Sequence, residues 1–350
     1  MPAKLKVAVL GATGYSGLEL TRLLLHHPRL ETPVLLARPR ELEASPAADL
    51  AEISPALAGR GPYPLQSISW LALKRQGVEL VFFATPHAAS RSLVPEAIPQ
   101  GFRVVDLSGA WRLQRDCHRA VYGFKDEDSV TAAELTAKAV YGLPELHGDL
   151  IPGATLVANP GCYATSVILA LAPLIRLGVV DRERGIISDS KSGVSGAGKE
   201  LNARTHFVSV ADNLSAYAVF SHRHVGEIVE QLQLGASELI FTPHLLPIPR
   251  GILSTIYLRL DCPMKPAEVE SSFRDFYAGK PWVRVSSTPR LPEIQFSLHT
   301  NYCDLGFCMA EDGRRLVLVS CIDNLLKGAA GQAVQNLNLM YGWNQEEGLQ

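Results

Sequence analysis

The chain has 350 residues, 47% of them hydrophobic and 19% charged, with a formal net charge of -2. That length suits two domains with a cleft between them, and the composition is that of a packed soluble protein. Lys and Arg are scattered, which leaves no basic stripe to track a nucleic-acid backbone, and no apolar run reaches the roughly 18 residues that a spanning helix needs.

Residues 1–6 lead into a strand pattern with neither a secretory nor an organellar presequence, so a cytoplasmic location is expected, without membrane or nucleic-acid partners. Residues 5–10 (LKVAVL) form a short apolar run that stops at Gly11-Ala12-Thr13-Gly14-Tyr15-Ser16-Gly17. Leu20, Leu23 and Leu24 then recur at helical spacing until Pro28, and residues 33–37 read as a second strand, which makes a βαβ unit. Further apolar runs at 78–84, 102–105 and 155–158, separated by helix-compatible stretches, predict a mostly parallel sheet covered on both faces. After Asn159 the texture changes. Residues 185–190, 238–242, 253–260 and 283–285 look like strands with fewer helices between them, then 316–322 is a strand and 324–339 a helix with Leu325, Ala329 and Val334 on one face. The expected fold is α/β: a doubly wound parallel-sheet domain followed by an α+β domain. The six cysteines (Cys117, Cys162, Cys262, Cys303, Cys308, Cys321) contain no C-x-x-C pair, so neither a disulfide framework nor a metal site is expected.

Glycines between a strand and a helix let a backbone approach a pyrophosphate, whose charge the helix N-terminus receives. Gly11, Gly14 and Gly17 meet that need at G-x-x-G-x-x-G spacing, with Thr13, Tyr15 and Ser16 between them. A site for NAD carries Asp or Glu after the second strand, whereas here the strand runs into Arg38-Pro39-Arg40, which suits the 2′-phosphate of NADP. Arg38 is the first contact and Arg40 the reserve; the alternative is two solvated loop charges. Thr85-Pro86, at the carboxyl edge of the sheet, form either a wall of the nicotinamide pocket or a structural turn.

Asn159-Pro160-Gly161-Cys162-Tyr163-Ala164-Thr165 follows a strand and precedes an apolar helical stretch, 166–174, which places Cys162 at or near a helix N-terminus. Dipole and unpaired N–H groups there favour the thiolate, the form that attacks acyl carbon. A thiolate beside a hydride donor is a restrictive combination, because hydride can reduce a thioester to an aldehyde. Proton transfer falls to His222-Arg223-His224; His224 is preferred because Glu227 lies three residues on, on the same helix face. The segment from Ser192 and Gly193 to Lys199 reads as a hydroxyl-rich loop that binds phosphate or carboxylate, or as a mobile lid. Arg112 is a candidate fork for a substrate anion, with a structural salt bridge as the competing account.

Together these residues resemble the N-acetyl-gamma-glutamyl-phosphate reductase family, relatives of the aspartate-semialdehyde dehydrogenases. The likeness covers nearly the whole chain and rests on GATGYSG (11–17), YGLPEL (141–146), NPGCYAT (159–165), KSGVSGAG (191–198), HRH with Glu227, TPHLLPIPRGILSTIY (242–257) and NLLKGAAGQAVQN (324–336). It implies a Rossmann domain at 1–158 completed by 322–350, and an α+β catalytic and oligomerisation domain of the semialdehyde dehydrogenase type at 159–321. It also implies a homo-oligomer, dimer or tetramer, that reduces N-acetyl-L-glutamyl 5-phosphate with NADPH and releases phosphate, with Cys162 as nucleophile and a histidine of the HRH segment as acid/base. Further cofactor contacts are expected from Ser192, Gly193 and Asn324, and substrate contacts from Arg112, Asn159, Lys199, Tyr217 and Arg250. The chain departs from the family pattern at Gly109-Ala110-Trp111, where Ala-Asp-Phe is usual, and at Gly226, where Pro is usual. The rival readings are a reductase of an aminoadipyl phosphate one methylene longer, and a non-catalytic NADP sensor; a single methylene is worth only about 1–3 kcal/mol in a pocket.

Overall fold

The computed structural model describes residues 4–37, 49–287 and 289–349, and the chain divides into two compact units. The first comprises Met1–Gln114, Tyr122–Asn159 and Ala330–Gln350. Its strands are β1 (Val7–Leu10), β2 (Val34–Leu36), β3 (Leu65–Gln66), β4 (Leu80–Phe83), β5 (Arg103–Asp106), β6 (Val140–Tyr141) and β7 (Leu156–Ala158). All pair in parallel, in the order β3-β2-β1-β4-β5-β7-β6. Every residue of β1, β2, β4 and β7 is buried, which is why these strands are continuous apolar runs with no alternation.

The strand order reverses between β1 and β4, and ligands of such sheets bind at the carboxyl ends on either side of that point. The turn after β1 and the turn after β4 touch there: a Cβ on Gly11, whose φ is +86°, would lie 2.4 Å from the Ala84 carbonyl oxygen. The helix α1 (Tyr15–Leu25) is pressed equally close, since a Cβ on Gly17 would lie 2.1 Å from the Gly11 carbonyl. The C-terminal helix, Gly331–Met340, packs on α1 and β5 of this same unit.

The second unit comprises Arg115–Val121 and Pro160–Ala329. Its sheet contains β8 (Ile186–Gly193), β9 (Ser215–Ala216), β10 (Leu239–Leu246), β11 (Ile252–Arg259), β12 (Val283–Val285), β13 (Cys303–Met309) and β14 (Arg315–Ile322), in the mixed order β12-β13-β14-β11-β8-β10-β9. One face is covered by α2 (Cys162–Leu177), whose residues from Tyr163 to Leu174 are all buried. A hydroxyl network ties this helix to the sheet: Ser166 donates to Ser254 at 2.9 Å and is 3.0 Å from Ser320, while Ser190 bonds Ser254 at 2.8 Å. The helix α3 (His224–Leu232) packs on α2. On the other face Ile187, Ile240 and Tyr257 are exposed.

Two expectations from pattern need correction, and one strand carried no pattern signal. The helix expected over 324–339 begins as a wide turn at Leu326–Ala330 and is regular only over Gly331–Met340, because the Asp323 carboxylate accepts the N–H groups of Leu325 and Leu326. The stretch from Ser192 is not all loop, since Ser192 and Gly193 are buried at the end of β8 and only Val194–Ala197 turns away. Cys303–Met309 is a strand despite its Asp and Gly, held between β12 and β14. Among the described residues no helix is long and apolar enough to cross a membrane, and no group of three or more His, Cys, Asp or Glu side chains could hold a metal.

Candidate active site

The second unit encloses a cavity of about 580 Å³ whose lining includes Cys162, Tyr163, Tyr217, His222 and His224. Cys162 is the first residue of α2, four residues earlier than the apolar pattern indicated. Gly161 caps this end with no side-chain hydrogen bond, so the first N–H groups and the dipole are left to stabilise negative charge on sulfur. Cys303 and Cys321, by contrast, are buried in strands, and burial pushes the Cys321 thiol up.

Two glycines let other groups crowd Cys162. A Cβ on Gly328 would lie 2.7 Å from the Cys162 Cβ, and a Cβ on Gly161 would lie 2.5 Å from His224 Nε2. The imidazole of His224 therefore rests directly on the turn that carries the cysteine. Glu227 is fully buried, and its Oε2 accepts the Gly161 N–H at 2.9 Å. Its other oxygen lies 3.9 Å from His224 Nε2, beyond hydrogen-bond range, so Glu227 ties α3 to the cysteine turn and sets the histidine's position through that tie.

His222 accepts the His224 backbone N–H on Nδ1 at 3.2 Å, which leaves the hydrogen of its neutral ring on Nε2. It meets His224 edge-on at 4.7 Å and is packed against Tyr163, Tyr217 and Phe241. Burial, helped by the charge of Arg223, brings its pKa down to about 4, so it is neutral throughout the physiological range. The Tyr163 hydroxyl donates to the His244 carbonyl at 2.8 Å, and burial pushes that phenol far up. Tyr217 is pushed up to about 12, again chiefly by burial.

Other predicted contacts in this unit are committed elsewhere. Arg250 pairs with the buried Asp323 at 3.1 Å, and the Asn324 amide accepts from Gly251 N–H at 2.7 Å and donates to Ser195 at 2.9 Å. The Ser192 hydroxyl bonds the Gly193 carbonyl at 3.0 Å, and a Cβ on Gly193 would lie 2.6 Å from the Arg250 nitrogen. Lys199 is exposed beyond the turn. Conversely, Asn202 and Arg204 line the cavity and carried no motif signal; Arg223, inside the HRH motif, and Tyr163, adjacent to the cysteine, could have been found from position alone.

In the first unit the glycine turn separates into two roles. Gly11 and Gly17 are sterically required, whereas a Cβ on Gly14 would meet nothing closer than 3.6 Å. Gly14 also begins α1 without a side-chain cap, and no acidic residue stands in the first turn. Thr13 is buried and Tyr15 exposed there, with Ser16 between these extremes. Thr85 and Pro86 follow β4 and lead into the helix His87–Ala97. Arg38 and Arg40 lie outside the described residues. Arg112 is buried, and its guanidinium donates to the carbonyls of Asn159 and Leu107, both at 2.7 Å. Asn159 is fully buried and its side chain accepts from Asn336 at 3.0 Å. Asp106, which closes β5, is held by Ser108, and burial raises its pKa to about 6.

Comparison with known proteins gives the same picture over the full length. Residues 6–154 match the family model described as the semialdehyde dehydrogenase NAD binding domain, and residues 162–324 that of the semialdehyde dehydrogenase dimerisation domain. Relatives named N-acetyl-gamma-glutamyl-phosphate reductase include one from Desulfotalea psychrophila, 41% identical over 99% of this chain and 98% of its own, and one from Symbiobacterium thermophilum, 43% identical over 99% and 97%. Among solved structures, aspartate semialdehyde dehydrogenase II from Vibrio cholerae superposes with a TM-score of 0.71 at 17% identity, covering 96% of this chain and 98% of that one. The Candida albicans enzyme, crystallised with NADP, gives 0.69 at 16% identity, covering 97% and 98%. These likenesses establish the α/β architecture of a dinucleotide-binding sheet joined to a semialdehyde-dehydrogenase-type α+β unit.

Proposed function

The chain belongs to the N-acetyl-gamma-glutamyl-phosphate reductase family, and on that premise we propose that it reduces N-acetyl-L-glutamyl 5-phosphate to N-acetyl-L-glutamate 5-semialdehyde in arginine biosynthesis, with release of phosphate. The observation that carries the reading is Cys162 at the uncapped start of α2 with the His224 imidazole resting on Gly161.

His224 takes the thiol proton, and the Cys162 thiolate attacks the acyl carbon. The carbon–sulfur bond forms as the carbon–oxygen bond to phosphate breaks, and the departing phosphate accepts the proton from His224. NADPH, when bound, supplies a hydride to the thioester carbon. The resulting alkoxide reforms the carbonyl and expels Cys162 as thiolate, which a solvent proton returns to thiol. His222, neutral and hydrogen-bonded through Nδ1, offers an Nε2–H for a substrate oxygen and does not exchange charge. Tyr217 supplies a phenol to the same wall.

The glycine turn fits a dinucleotide because Gly14 opens an uncapped helix start with nothing closer than 3.6 Å to the place of its Cβ, where a pyrophosphate needs close backbone approach. Arg38 is assigned to the 2′-phosphate, which makes NADP the preferred cofactor. In this reading 1–158 with 322–350 form the dinucleotide-binding domain and 159–321 the catalytic and oligomerisation domain. The match to a dimerisation domain and the exposed Ile187, Ile240 and Tyr257 support a homo-oligomer, and the protein acts in the cytoplasm.

The test runs the reaction backwards: purified protein, NADP, phosphate and N-acetylglutamate semialdehyde, followed by nicotinamide absorbance for wild type and Cys162→Ser. Phosphate-dependent NADPH formation that disappears in the variant is expected. Turnover without phosphate, or turnover that survives the substitution, would refute the thioester route.

A further inference from the structure

The cavity that holds Cys162 is lined by no Asp or Glu among the described residues, but by two arginines, Arg204 and Arg223. A cavity with that balance of charge recruits an anion. The proposed substrate has two anionic groups, the phosphate on the reacting acyl carbon and a carboxylate at the far end of the chain. Arg223 stands between the two histidines of the reacting end. Arg204 arrives from a separate loop.

That loop holds Arg204 in place. The Asn202 side chain accepts the backbone N–H groups of both Arg204 and Thr205, at 3.0 and 3.1 Å, an arrangement that fixes the turn from which Asn202, Arg204 and Thr205 line the cavity. Arg204 forms no ion pair with any described acidic side chain, so its five donors are available. The Tyr217 phenol, raised chiefly by burial, is drawn back down by Arg223 and Arg204 together, so both charges act on one wall of the cavity.

We propose that Arg204 receives the substrate's α-carboxylate and thereby selects an N-acylated amino acid over an acyl phosphate of the same length that lacks that group. The proposal rests on the acyl-phosphate reductase reading and adds the residue that decides which acyl chain enters. A guanidinium matches a carboxylate with two parallel hydrogen bonds, whereas an ammonium at the same place supplies charge without the fork.

The experiment compares wild type, Arg204→Gln and Arg204→Lys in the reverse reaction with two aldehydes, N-acetylglutamate semialdehyde and 4-acetamidobutanal, which is the same chain without the carboxylate. For the carboxylate-bearing aldehyde, Arg204→Gln should raise KM roughly tenfold to a hundredfold, the range expected for a charged hydrogen bond, with kcat within about twofold. Arg204→Lys should fall between. For 4-acetamidobutanal the wild type and Arg204→Gln should share one KM. Equal losses on both aldehydes, a raised KM for phosphate, or no change at all would each overturn the assignment. A wild-type protein inactive on both aldehydes would overturn the underlying reading, and the proposal with it; because Arg204 is exposed, loss of folding does not confuse the result.

Discussion

Gly161→Ala tests the packing of His224, the proposed acid/base, onto the turn that carries Cys162, the proposed nucleophile. The backbone at Gly161 has φ -73° and ψ 146°, which alanine adopts freely, so any effect comes from the added methyl and not from backbone strain. That methyl would meet Nε2, Cδ2 and Cε1 of His224 at 2.5, 2.6 and 2.7 Å, where ordinary contact begins at 3.4 Å. The imidazole must therefore withdraw by about 0.9 Å, or the cysteine turn must open by as much. The first movement is opposed by the tight setting of α3, whose Glu227 is bonded to Gly161 itself. A displacement of that size at the reacting groups lowers turnover by about a hundredfold, while overpacking costs about 1–3 kcal/mol of stability. Steady-state kinetics in the reverse direction, with NADPH binding followed by nicotinamide fluorescence, should show kcat reduced and the cofactor affinity unchanged. Gly153→Ala is the control, since a Cβ there meets nothing within 4 Å. If Gly161→Ala keeps activity within about threefold of wild type, the His224 imidazole does not act from this position.

Glu227→Leu should lower thermal stability by about 1–3 kcal/mol because the Gly161 N–H loses its acceptor, and Glu227→Gln, which keeps an acceptor oxygen, should recover most of it in a melting curve. Since His222 is held down to about 4, it carries no ionisation between pH 5 and 8, so His222→Gln should leave the shape of the kcat/KM profile over that range unchanged; a profile that loses an ionisation there in this variant would refute the neutral assignment of His222. In the first unit, burial lowers the pKa of His27, whose Nδ1 accepts from Arg29 N–H and whose Nε2 meets Asn338 at 2.9 Å, with Glu347 and Arg29 as the nearby charges. A depressed histidine stabilises the fold above its ordinary pKa of about 6.5 and gives up that stability as pH falls below it, so urea unfolding of His27→Gln should show a smaller loss between pH 7.5 and 5.5 than wild type.

How much of this was legible in the sequence follows from the range of the interactions involved. Buried parallel strands are apolar from end to end, so β1, β4 and β7 could be read from composition within a residue or two, and β5 from its Val104-Val105 centre. The pairs Leu65–Gln66, Val140–Tyr141 and Ser215–Ala216 are too short to carry a period and become strands only because a neighbour's edge is there to pair with. The chemistry of Cys162 was legible because a helix start after Pro-Gly is a local event. The partners of Arg112 were not legible for the opposite reason: the carbonyl it bonds at Asn159 is 47 positions away, and no spacing rule reports such a partner. Glycines divide in the same way. The phosphate-turn spacing marks all three of Gly11, Gly14 and Gly17 alike, yet two of them are demanded by close contact between backbone segments, while a Cβ on Gly14 would make only an ordinary contact at 3.6 Å. Gly161 looks in the sequence like part of a turn signal, and its steric role emerges only when α3, more than 60 residues later, lays His224 across it. Residue type thus announces which chemistry is available, while the identity of the group pressed against each glycine decides where that chemistry happens. It is at those contacts, Gly161 with His224 and Gly328 with Cys162, that a single added methyl should separate an enzyme that folds from one that turns over.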